Sequence, residues 1–327
     1  MSDSPSTPPP AQGVRLNWQD IPAPLRTTIE QELGSPVVHV DSQTSGFSPG
    51  VAARLQTASG RRVFIKALGP EPNPGSREFH RREARNMAAM PASAPVPRML
   101  WWLDDAETGW VVLLFEDVDG WQPAQPWRTD ELNRVLAAMI ELSASMTPAP
   151  LRPPVVGTAP EAFMNHLSGW WRLKTFGDDD QFAQLDEWTK RHIDELAQLE
   201  EQAYTAAAGD TLLHFDIRAD NVLLTDEKVW FVDWPHAHVG AAWVDCILFA
   251  PSVWMQGGPP PDDFLVQHPA YRAADPGSIT AVIAAVAGFF TWQSLQPPPP
   301  GLPTVRAFQA AQGTVTRKWL ARRTGWQ

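Results

Sequence analysis

Three oxygen-bearing side chains, Asp216, Asn221 and Asp233, follow one another at short intervals between apolar runs. Asp216 and Asn221 complete the spacing HxDxxxxN that begins at His214, and Asp233 ends a second apolar run. Phosphoryl transfer from Mg-ATP to a hydroxyl needs such a set. One carboxylate orients the hydroxyl and accepts its proton, while an amide and another carboxylate hold Mg²⁺ against the phosphates. The set predicts a catalytic base at Asp216 and a magnesium site at Asn221 and Asp233.

A purely structural role is the alternative for each of these residues. Asp216 taken alone would be a turn aspartate that bonds to nearby backbone N–H groups, and Asn221 would merely close the loop. The ordered combination favours catalysis, because the apolar run at residues 229–232 would not otherwise end in an acid. His214 is expected to support the loop. Arg218 either neutralises charge near Asp216 or the transferred phosphate, as part of the catalytic group, or forms a surface salt bridge.

A lysine at the end of an apolar run supplies the cation that ATP phosphates need. Lys66 follows the run at residues 63–65, and a carboxylate must hold its ammonium group. Glu83 is the predicted partner, since Glu78 lies nearer the exposed start of the same predicted helix. Solvation alone would explain a lysine at a strand end, and the downstream magnesium set favours the functional interpretation.

Two loops are predicted to complete a nucleotide site. Ser45 and Gly46 lie in a turn between predicted strands, where backbone N–H groups approach phosphate. This turn has neither GxGxxG nor GxxxxGK[ST], so its position one strand before Lys66 carries the expectation. Glu116 and Val118 lie where the β-rich part of the chain meets the helical part. Their backbone groups are expected to pair with adenine, and an ordinary linker is the alternative.

Patterning predicts an α+β fold with two lobes. Apolar runs separated by turn residues predict strands at 37–40, 51–55, 62–67, 97–103 and 110–115, with helices at 22–33 and 76–90. They form an antiparallel sheet with a helix against it, in an N-lobe at residues 14–116. Residues 1–13, rich in Ser and Pro, are expected to form a disordered tail.

Residues 117–327 are predicted to form a larger, mostly helical C-lobe that carries the catalytic loop and the acceptor site. Helical apolar spacing predicts helices at 129–146, 160–173, 181–206, 244–254, 278–295 and 304–323. Asp180 is the expected cap of the third of these. Asp245 is expected to tether the backbone of the catalytic loop.

Bulk properties narrow the class of partner. A net charge of −11 argues against a nucleic-acid-binding surface, since such surfaces have clustered Lys and Arg.

The cysteine content and the apolar stretches bear on the location of the protein. The single Cys246 excludes an internal disulfide and is typical of the cytoplasm. The longest apolar stretch, residues 279–290, is shorter than the roughly 20 residues that cross a bilayer, so no membrane role is expected. The oligomeric state is left open.

These residues together resemble the aminoglycoside phosphotransferase family, relatives of the eukaryotic protein kinases. The most specific part is His214-Phe215-Asp216 through Asn221, then Asp233-Trp234-Pro235. The resemblance implies a bilobal kinase-like fold, with Asp216 as the catalytic base, Asn221 and Asp233 on Mg²⁺, and Lys66 with Glu83 on the ATP phosphates. Many relatives have Gly at the position of Phe215 and His at that of Arg218, which leaves the acceptor undefined.

The leading hypothesis is an ATP-dependent O-phosphotransferase of a small hydroxylated molecule, with an aminoglycoside or another amine-bearing antibiotic or metabolite as the first candidate. The choice between a role in antibiotic resistance and one in metabolism is left open. The acidic stretches at residues 178–180 and 262–263 are candidate contributors to such an acceptor site. The alternatives are a kinase of a sugar, an amino alcohol or a homoserine-type metabolite, and a nucleotide-binding pseudokinase that regulates without turnover. Retention of Lys66, Asp216, Asn221 and Asp233 speaks against a pseudokinase.

Overall fold

The structure, a computed structural model, describes residues 9–71 and 75–327. Residues 1–8, most of the tail that the sequence predicts, lie outside the described residues. The remainder of that stretch runs beside the turn at Gly46, whose N–H donates to the carbonyl of Ala11 at 2.8 Å.

The N-lobe is a five-stranded antiparallel sheet with helices against it. In chain order its elements are α1 (Ala23–Leu33), β1 (Val37–Ser42), β2 (Val51–Thr57), β3 (Arg62–Leu68), α2 (Ser76–Ala88), β4 (Met99–Asp104) and β5 (Val111–Glu116). The spatial order is β1-β2-β3-β5-β4, and every neighbouring pair is antiparallel. The predicted α+β, bilobal architecture is confirmed.

The sheet brings Lys66 to its centre. Strand β3 lies between β2 and β5, and Lys66 pairs in register with Ala52 and Leu113. Buried residues of β3 and β5, among them Val63 and Ile65, pack on one face against α1. Lys66 points to the opposite face, toward α2, because side chains alternate along a strand.

The C-lobe is mostly helical. In chain order its helices are α3 (Thr129–Ser145), α4 (Ala159–Asn165), α5 (Gly169–Phe176), α6 (Asp179–Ala183), α7 (Glu187–Arg191), α8 (Ile193–Ala206), α9 (Val244–Met255), α10 (Pro261–Leu265), α11 (Pro269–Ala273), α12 (Pro276–Ser294) and α13 (Val305–Thr324). Helix α12 runs through the centre of the lobe, where it packs against α5, α8 and α13. It is long and apolar enough to cross a membrane, but 61% of that apolar window is buried inside the protein.

Short strands in the C-lobe hold the predicted catalytic loop. β6 (Gly157–Thr158), β7 (Thr211–Leu213) and β10 (His238–Gly240) form one small sheet, and β8 (Val222–Leu224) pairs with β9 (Val229–Phe231) in a hairpin. The catalytic loop runs from the end of β7 to the start of β8. The segment that carries Asp233 joins β9 to β10. The loop that carries Asp216 and the segment that carries Asp233 therefore each begin and end at a strand that is paired in a sheet.

Two long helices predicted in the C-lobe are wrong, because each is broken. The region 160–173 forms α4 and α5. Gly169, the first residue of α5, packs directly on the backbone of Gly288 in α12, and buried Glu200 accepts the N–H groups of Trp170 and Trp171 at the new helix start. The region 181–206 forms three helices, with a second start capped by Asp186. The predicted cap at Asp180 is also wrong, since Asp178 accepts the N–H of Gln181.

Candidate active site

The catalytic loop is fixed by a carboxylate from α9. Asp245 accepts the backbone N–H groups of His214 at 2.9 Å and of Phe215 at 2.8 Å. Both N–H groups belong to buried or half-buried residues, so without Asp245 each would be shielded from water and would lack a hydrogen-bond acceptor. The tether that the sequence predicts for Asp245 is confirmed, and it sets the backbone immediately before Asp216.

His214 joins the catalytic loop to the segment that carries Asp233. Its Nδ1 accepts the N–H of Asp216 at 3.2 Å, so its Nε2 carries the proton that it donates to the Val232 carbonyl, 2.9 Å away. Burial lowers the pKa of His214 to about 4, and the ring is therefore neutral near pH 7. These contacts are those of a supporting residue.

Asp216 and Asn221 contact each other across the loop. The Asn221 amide donates from Nδ2 to the backbone carbonyl of Asp216 at 2.8 Å and to its Oδ2 at 3.2 Å. The amide oxygen of Asn221 remains available as a ligand. Asp216 retains 25% of its side-chain exposure, which leaves room for a hydroxyl to reach the carboxylate.

Arg218 turns back onto the catalytic loop. Its Nη1 donates to Oδ1 of Asp216, and its Nε and Nη2 form a two-point contact with Asp220 at 3.0 and 2.9 Å. Burial raises the pKa of Asp216 to about 7, and the charge of Arg218 opposes that rise. Of the two roles left open for Arg218, the geometry matches charge neutralisation beside Asp216.

Lys66 connects the two lobes. Its Nζ donates to both oxygens of Glu83 at 2.7 and 2.8 Å and to Oδ1 of Asp233 at 2.7 Å. Burial raises the pKa of Glu83 to about 7 against the opposing charge of Lys66, whereas the pKa of Asp233 is held well below its usual range, because the nearby cations, Lys66 first, outweigh its burial. The glutamate predicted as the partner of Lys66 is thus in direct contact with it.

Helix α2 positions more than Glu83. One turn further along, Asn86 donates from Nδ2 to the Trp234 carbonyl at 2.8 Å. Trp234 is fully buried and donates its indole N–H to the Phe231 carbonyl at 2.9 Å. Because residues three apart share a helix face, α2 holds both the ammonium of Lys66 and the segment after Asp233.

Two residues of the site have a left-handed backbone although neither is glycine. Phe215 has φ of 69° and Asp233 has φ of 71°. A short polar residue such as Asp tolerates this region, while a bulky one such as Phe does not do so readily. The conformation at residue 215 gives the physical reason why glycine suits this position in the family that the sequence resembles.

The oxygen donors suit a magnesium ion. The N–H of Val232 donates to the backbone carbonyl of Asn221 at 3.0 Å, which places Asp233 directly beside Asn221. Both side chains line one cavity between the lobes together with Lys66 and Glu83. An amide oxygen and a carboxylate are hard ligands of the kind that Mg²⁺ prefers.

The other predicted nucleotide residues also line this cavity. Ser45, Gly46, Glu116 and Val118 are all part of its wall. The N–H of Gly46 is already bonded to Ala11, and that of Glu116 donates to the Arg98 carbonyl at 2.9 Å. The carbonyl of Val118 accepts Nη2 of Arg54 at 3.0 Å.

Sequence reasoning missed several polar residues of the cavity wall, among them Arg15, Gln122 and Asp220. Arg15 reaches it from the N-terminal segment, Gln122 donates to Oγ of Ser45 at 2.9 Å and to the Asp220 carbonyl at 3.2 Å, and Asp220 pairs with Arg218. The spacing of Arg218 and Asp220, two apart in one loop, could have suggested their pairing. No local pattern marks Arg15 or Gln122.

Comparison with known proteins identifies the family. The profile of the phosphotransferase enzyme family matches residues 44–279. This is well over half of the chain, and the chain belongs to this family. It is therefore an enzyme, a phosphotransferase. The comparison with curated proteins found no match.

Solved structures share the fold at low identity. Aminoglycoside phosphotransferase APH(4)-Ia, as a thermostable mutant in complex with AMP-PNP and hygromycin B, is 17% identical with a TM-score of 0.61, over 94% of this chain and 100% of that one. Choline kinase LicA from Streptococcus pneumoniae is 13% identical with a TM-score of 0.59, over 92% and 100%. Amicoumacin kinase hAmiN is 11% identical with a TM-score of 0.54, over 89% and 93%.

Proposed function

We propose that the protein is an ATP-dependent kinase that phosphorylates a hydroxyl group of a small molecule, with Asp216 as its base. The observation that carries this proposal is the convergence of Asn221, Asp233 and Lys66 on one cavity, with Asp216 bonded to Asn221 at its edge. Four groups scattered over 168 positions of the chain, from 66 to 233, meet in the arrangement that phosphoryl transfer requires.

In the proposed reaction the acceptor hydroxyl lies against the exposed part of Asp216. Its oxygen bonds to the γ-phosphorus as the bond from that phosphorus to the β–γ bridging oxygen breaks, and its proton passes to the Asp216 carboxylate. The products are the phosphate ester and ADP. A base with a pKa near the working pH suits this role, and burial holds the pKa of Asp216 at about 7.

The residues around the cavity support ATP as the donor. Mg²⁺, when bound at Asn221 and Asp233, supplies positive charge that neutralises the phosphate oxygens. Lys66 supplies a second positive charge, held by Glu83. Val118 has a backbone N–H that makes no hydrogen bond within residues 9–71 and 75–327, and it is the proposed partner of the adenine ring, with Glu116 beside it.

A cationic acceptor such as an aminoglycoside is one candidate. It is supported by the structural likeness to an enzyme crystallised with hygromycin B and by the net charge of −11. Two of the carboxylates suggested for its binding are already engaged: Asp178 caps α6, and Asp262 accepts hydrogen bonds from Tyr271 and Arg323 at 2.7 and 2.9 Å.

A neutral hydroxylated acceptor, such as a sugar, is the second candidate, and a specific observation favours it. His236 lies three positions after Asp233, with its ring centroid 5.1 Å from that of Phe79. Burial lowers the pKa of both His236 and His238 to about 4, so both rings are neutral near pH 7. Neutral imidazoles donate and accept hydrogen bonds with the hydroxyl groups of a sugar, and an aromatic ring such as that of Phe79 packs against the C–H groups of the sugar.

We place the protein in the cytoplasm, where ATP is supplied and a free thiol stays reduced. The single Cys246 is free and buried, as expected of a protein that does not depend on oxidation.

An acceptor panel tests the function. ATP consumption is measured with aminoglycosides, sugars and amino alcohols, and the product is identified by phosphorus NMR as a phosphate ester. Asp216→Ala is expected to lower kcat by roughly 10²–10⁴-fold or more. Asp226→Ala, an exposed aspartate in the turn between β8 and β9, is the matched control and keeps wild-type turnover.

The outcomes separate the candidates. Turnover of an acceptor by the wild-type enzyme that disappears in Asp216→Ala supports the kinase, and the preferred acceptor class decides between the cationic and the neutral candidate. Tight ATP binding without turnover of any acceptor would instead support a nucleotide-binding regulator.

A further inference from the structure

The N-terminal segment, residues 11–16, lies along the nucleotide loop, residues 43–50. Four backbone hydrogen bonds join them: Gly46 to Ala11 at 2.8 Å, Gly13 to Gly46 at 2.9 Å, Leu16 to Gly50 at 3.1 Å and Gly50 to Val14 at 3.2 Å, donor first. The N–H groups of both glycines, which would otherwise approach phosphate, are therefore occupied. The two glycine N–H groups of the nucleotide loop are therefore not free to bind phosphate.

The C-lobe holds the other edge of the N-terminal segment. The N–H of Val14 donates to the Gly301 carbonyl at 2.8 Å, and the Thr304 hydroxyl donates to the Gln12 carbonyl at 2.9 Å. At the tip of the nucleotide loop, the ring of Phe47 meets that of Phe308 in α13, with centroids 5.1 Å apart. The segment is thus fixed between the lobes and keeps its position relative to the cleft.

Arg15 extends from this segment into the cavity. Its Nη1 and Nη2 donate to the carbonyls of Ser48 and Ser45, and its Nε is buried without a hydrogen-bond partner. Because a guanidinium carries five N–H donors, further donors remain. Asp233 and Asp220 lie close enough to raise the pKa of Arg15 against the larger lowering by burial, which places this cation on the magnesium side of the cavity.

The other cations at the cavity are already paired with carboxylates. Lys66 donates to Glu83 and Asp233, which takes up all three of its N–H groups. Arg218 is shared by Asp216 and Asp220, and Arg54 lies 3.4 Å from Asp117. Among these four cations, Arg15 alone contacts only carbonyl oxygens within the described parts of the chain, so its charge is the one left for an anion.

We propose that Arg15 binds the phosphates of the nucleotide and replaces the glycine N–H groups of the nucleotide loop. This inference rests on the proposed function, since it concerns the ATP of that same site. The two carbonyls of the loop orient the guanidinium, and its remaining N–H groups contact the phosphate oxygens. A planar guanidinium suits such contacts because it presents parallel donors to two oxygens at once.

The test compares nucleotides that differ in phosphate number. Calorimetry gives the Kd of ATP, ADP and adenosine for the wild-type protein, Arg15→Met and Arg15→Gln. Charged hydrogen bonds of this kind correspond to a loss of roughly 10- to 100-fold in ATP affinity, and adenosine affinity should change less than about 3-fold if only phosphate contacts are lost. Arg61→Met, an exposed arginine in the turn before β3, is the control and keeps wild-type affinities.

The results distinguish phosphate binding from a structural role. Equal losses for ATP and adenosine would mean that Arg15 only shapes the nucleotide loop, and unchanged ATP affinity would mean no contact; either result overturns the inference. Arg15→Gln retains an amide donor for the loop carbonyls, so a loss confined to Arg15→Met that is accompanied by a lower Tm also counts against it. A wild-type protein that does not bind ATP removes the proposed function itself.

Discussion

The Nζ of Lys66 lies 2.7 Å from Oδ1 of Asp233, although 167 positions separate the two residues. Lys66 belongs to β3 of the N-lobe and Asp233 follows β9 of the C-lobe, so this contact closes the cleft between the lobes. The same ammonium is held from α2 by Glu83. A bound triphosphate would compete with both carboxylates for one cation, which ties nucleotide binding to the relative position of the lobes.

Replacement of Lys66 by methionine tests its contribution to ATP use. Lys66→Met keeps most of the length of the side chain but loses the charge proposed to face the phosphates. Because hydrogen bonds to charged groups contribute about 1.5–3 kcal/mol, kcat/KM for ATP is expected to fall roughly 10- to 100-fold. Steady-state kinetics with ATP as the varied substrate measures this.

Lys228→Met is the control for this variant, since Lys228 lies over the ring of Trp230 in an exposed turn away from the cleft. It should leave kcat/KM unchanged. Wild-type kinetics in Lys66→Met would show that the ammonium does not act on the nucleotide, whatever its contacts with Glu83 and Asp233.

The contacts of Arg218 predict the pH dependence of turnover. Asp216 must be ionised to accept a proton, and burial raises its pKa to about 7, so kcat should rise as pH increases through about 7. Arg218 opposes that rise in pKa. In Arg218→Met the opposing charge is lost and Asp220 is left unpaired beside Asp216, so the rising limb should move to higher pH.

A kcat profile across the neutral range measures this shift. Arg128→Met serves as the control, because Arg128 pairs with Asp130 at the exposed start of α3 and should leave the limb in place. If the limb of Arg218→Met coincides with that of the wild type, the titrating group is not Asp216 or is not influenced by Arg218.

The residues of the candidate site can be identified in the sequence because their signals are local. Asp216 and Asn221 belong to one motif, the spacing HxDxxxxN, and Lys66 and Asp233 each end an apolar run. Strand boundaries were predicted within a few residues for the same reason. The prediction of Glu83 required one further argument, namely that the ammonium group of Lys66 needs a carboxylate from the neighbouring helix. The structure shows Glu83 in contact with Lys66, as predicted.

Features that depend on distant packing did not follow from the sequence. At the start of α5, Gly169 packs on Gly288 and the N–H of Trp170 donates to Glu200, and both of these partners are more than 30 positions away from Gly169 in the chain. The approach of Arg15 to the nucleotide loop depends on backbone pairing between two irregular segments. Neither hydrophobic periodicity nor residue spacing carries such information.

The buried carboxylate that starts α5 predicts a large effect on stability. Glu200 is fully buried and accepts the N–H groups of Trp170 and Trp171 at 3.0 and 2.9 Å. Glu200→Ala leaves both donors without partners and opens a cavity, so the free energy of unfolding should fall by about 2–5 kcal/mol. Urea titration measures it, and Glu201→Ala, the exposed neighbour on α8, should change it by less than about 0.5 kcal/mol. Equal stability of the two variants would show that the helix start does not depend on Glu200.

The left-handed backbone at Phe215 predicts that glycine is more stable than alanine at this position, the reverse of the usual order in a helix. Its φ of 69° disfavours any residue with a Cβ, while its ring packs against those of Phe163 and His238, with centroids 5.8 and 4.6 Å away. Phe215→Ala and Phe215→Gly both lose the ring, but only glycine relieves the backbone. Because a left-handed conformation costs a non-glycine residue roughly 1–2 kcal/mol, Phe215→Gly should be the more stable variant by about 1 kcal/mol.

The same pair of substitutions at Phe163 provides the control. Phe163 lies in α4, where glycine is less favourable than alanine by about 1 kcal/mol. Denaturant unfolding of the four variants should therefore give opposite orders at the two positions. If Phe215→Gly is instead less stable than Phe215→Ala, the backbone at residue 215 is not strained, and the preference for glycine there has another cause.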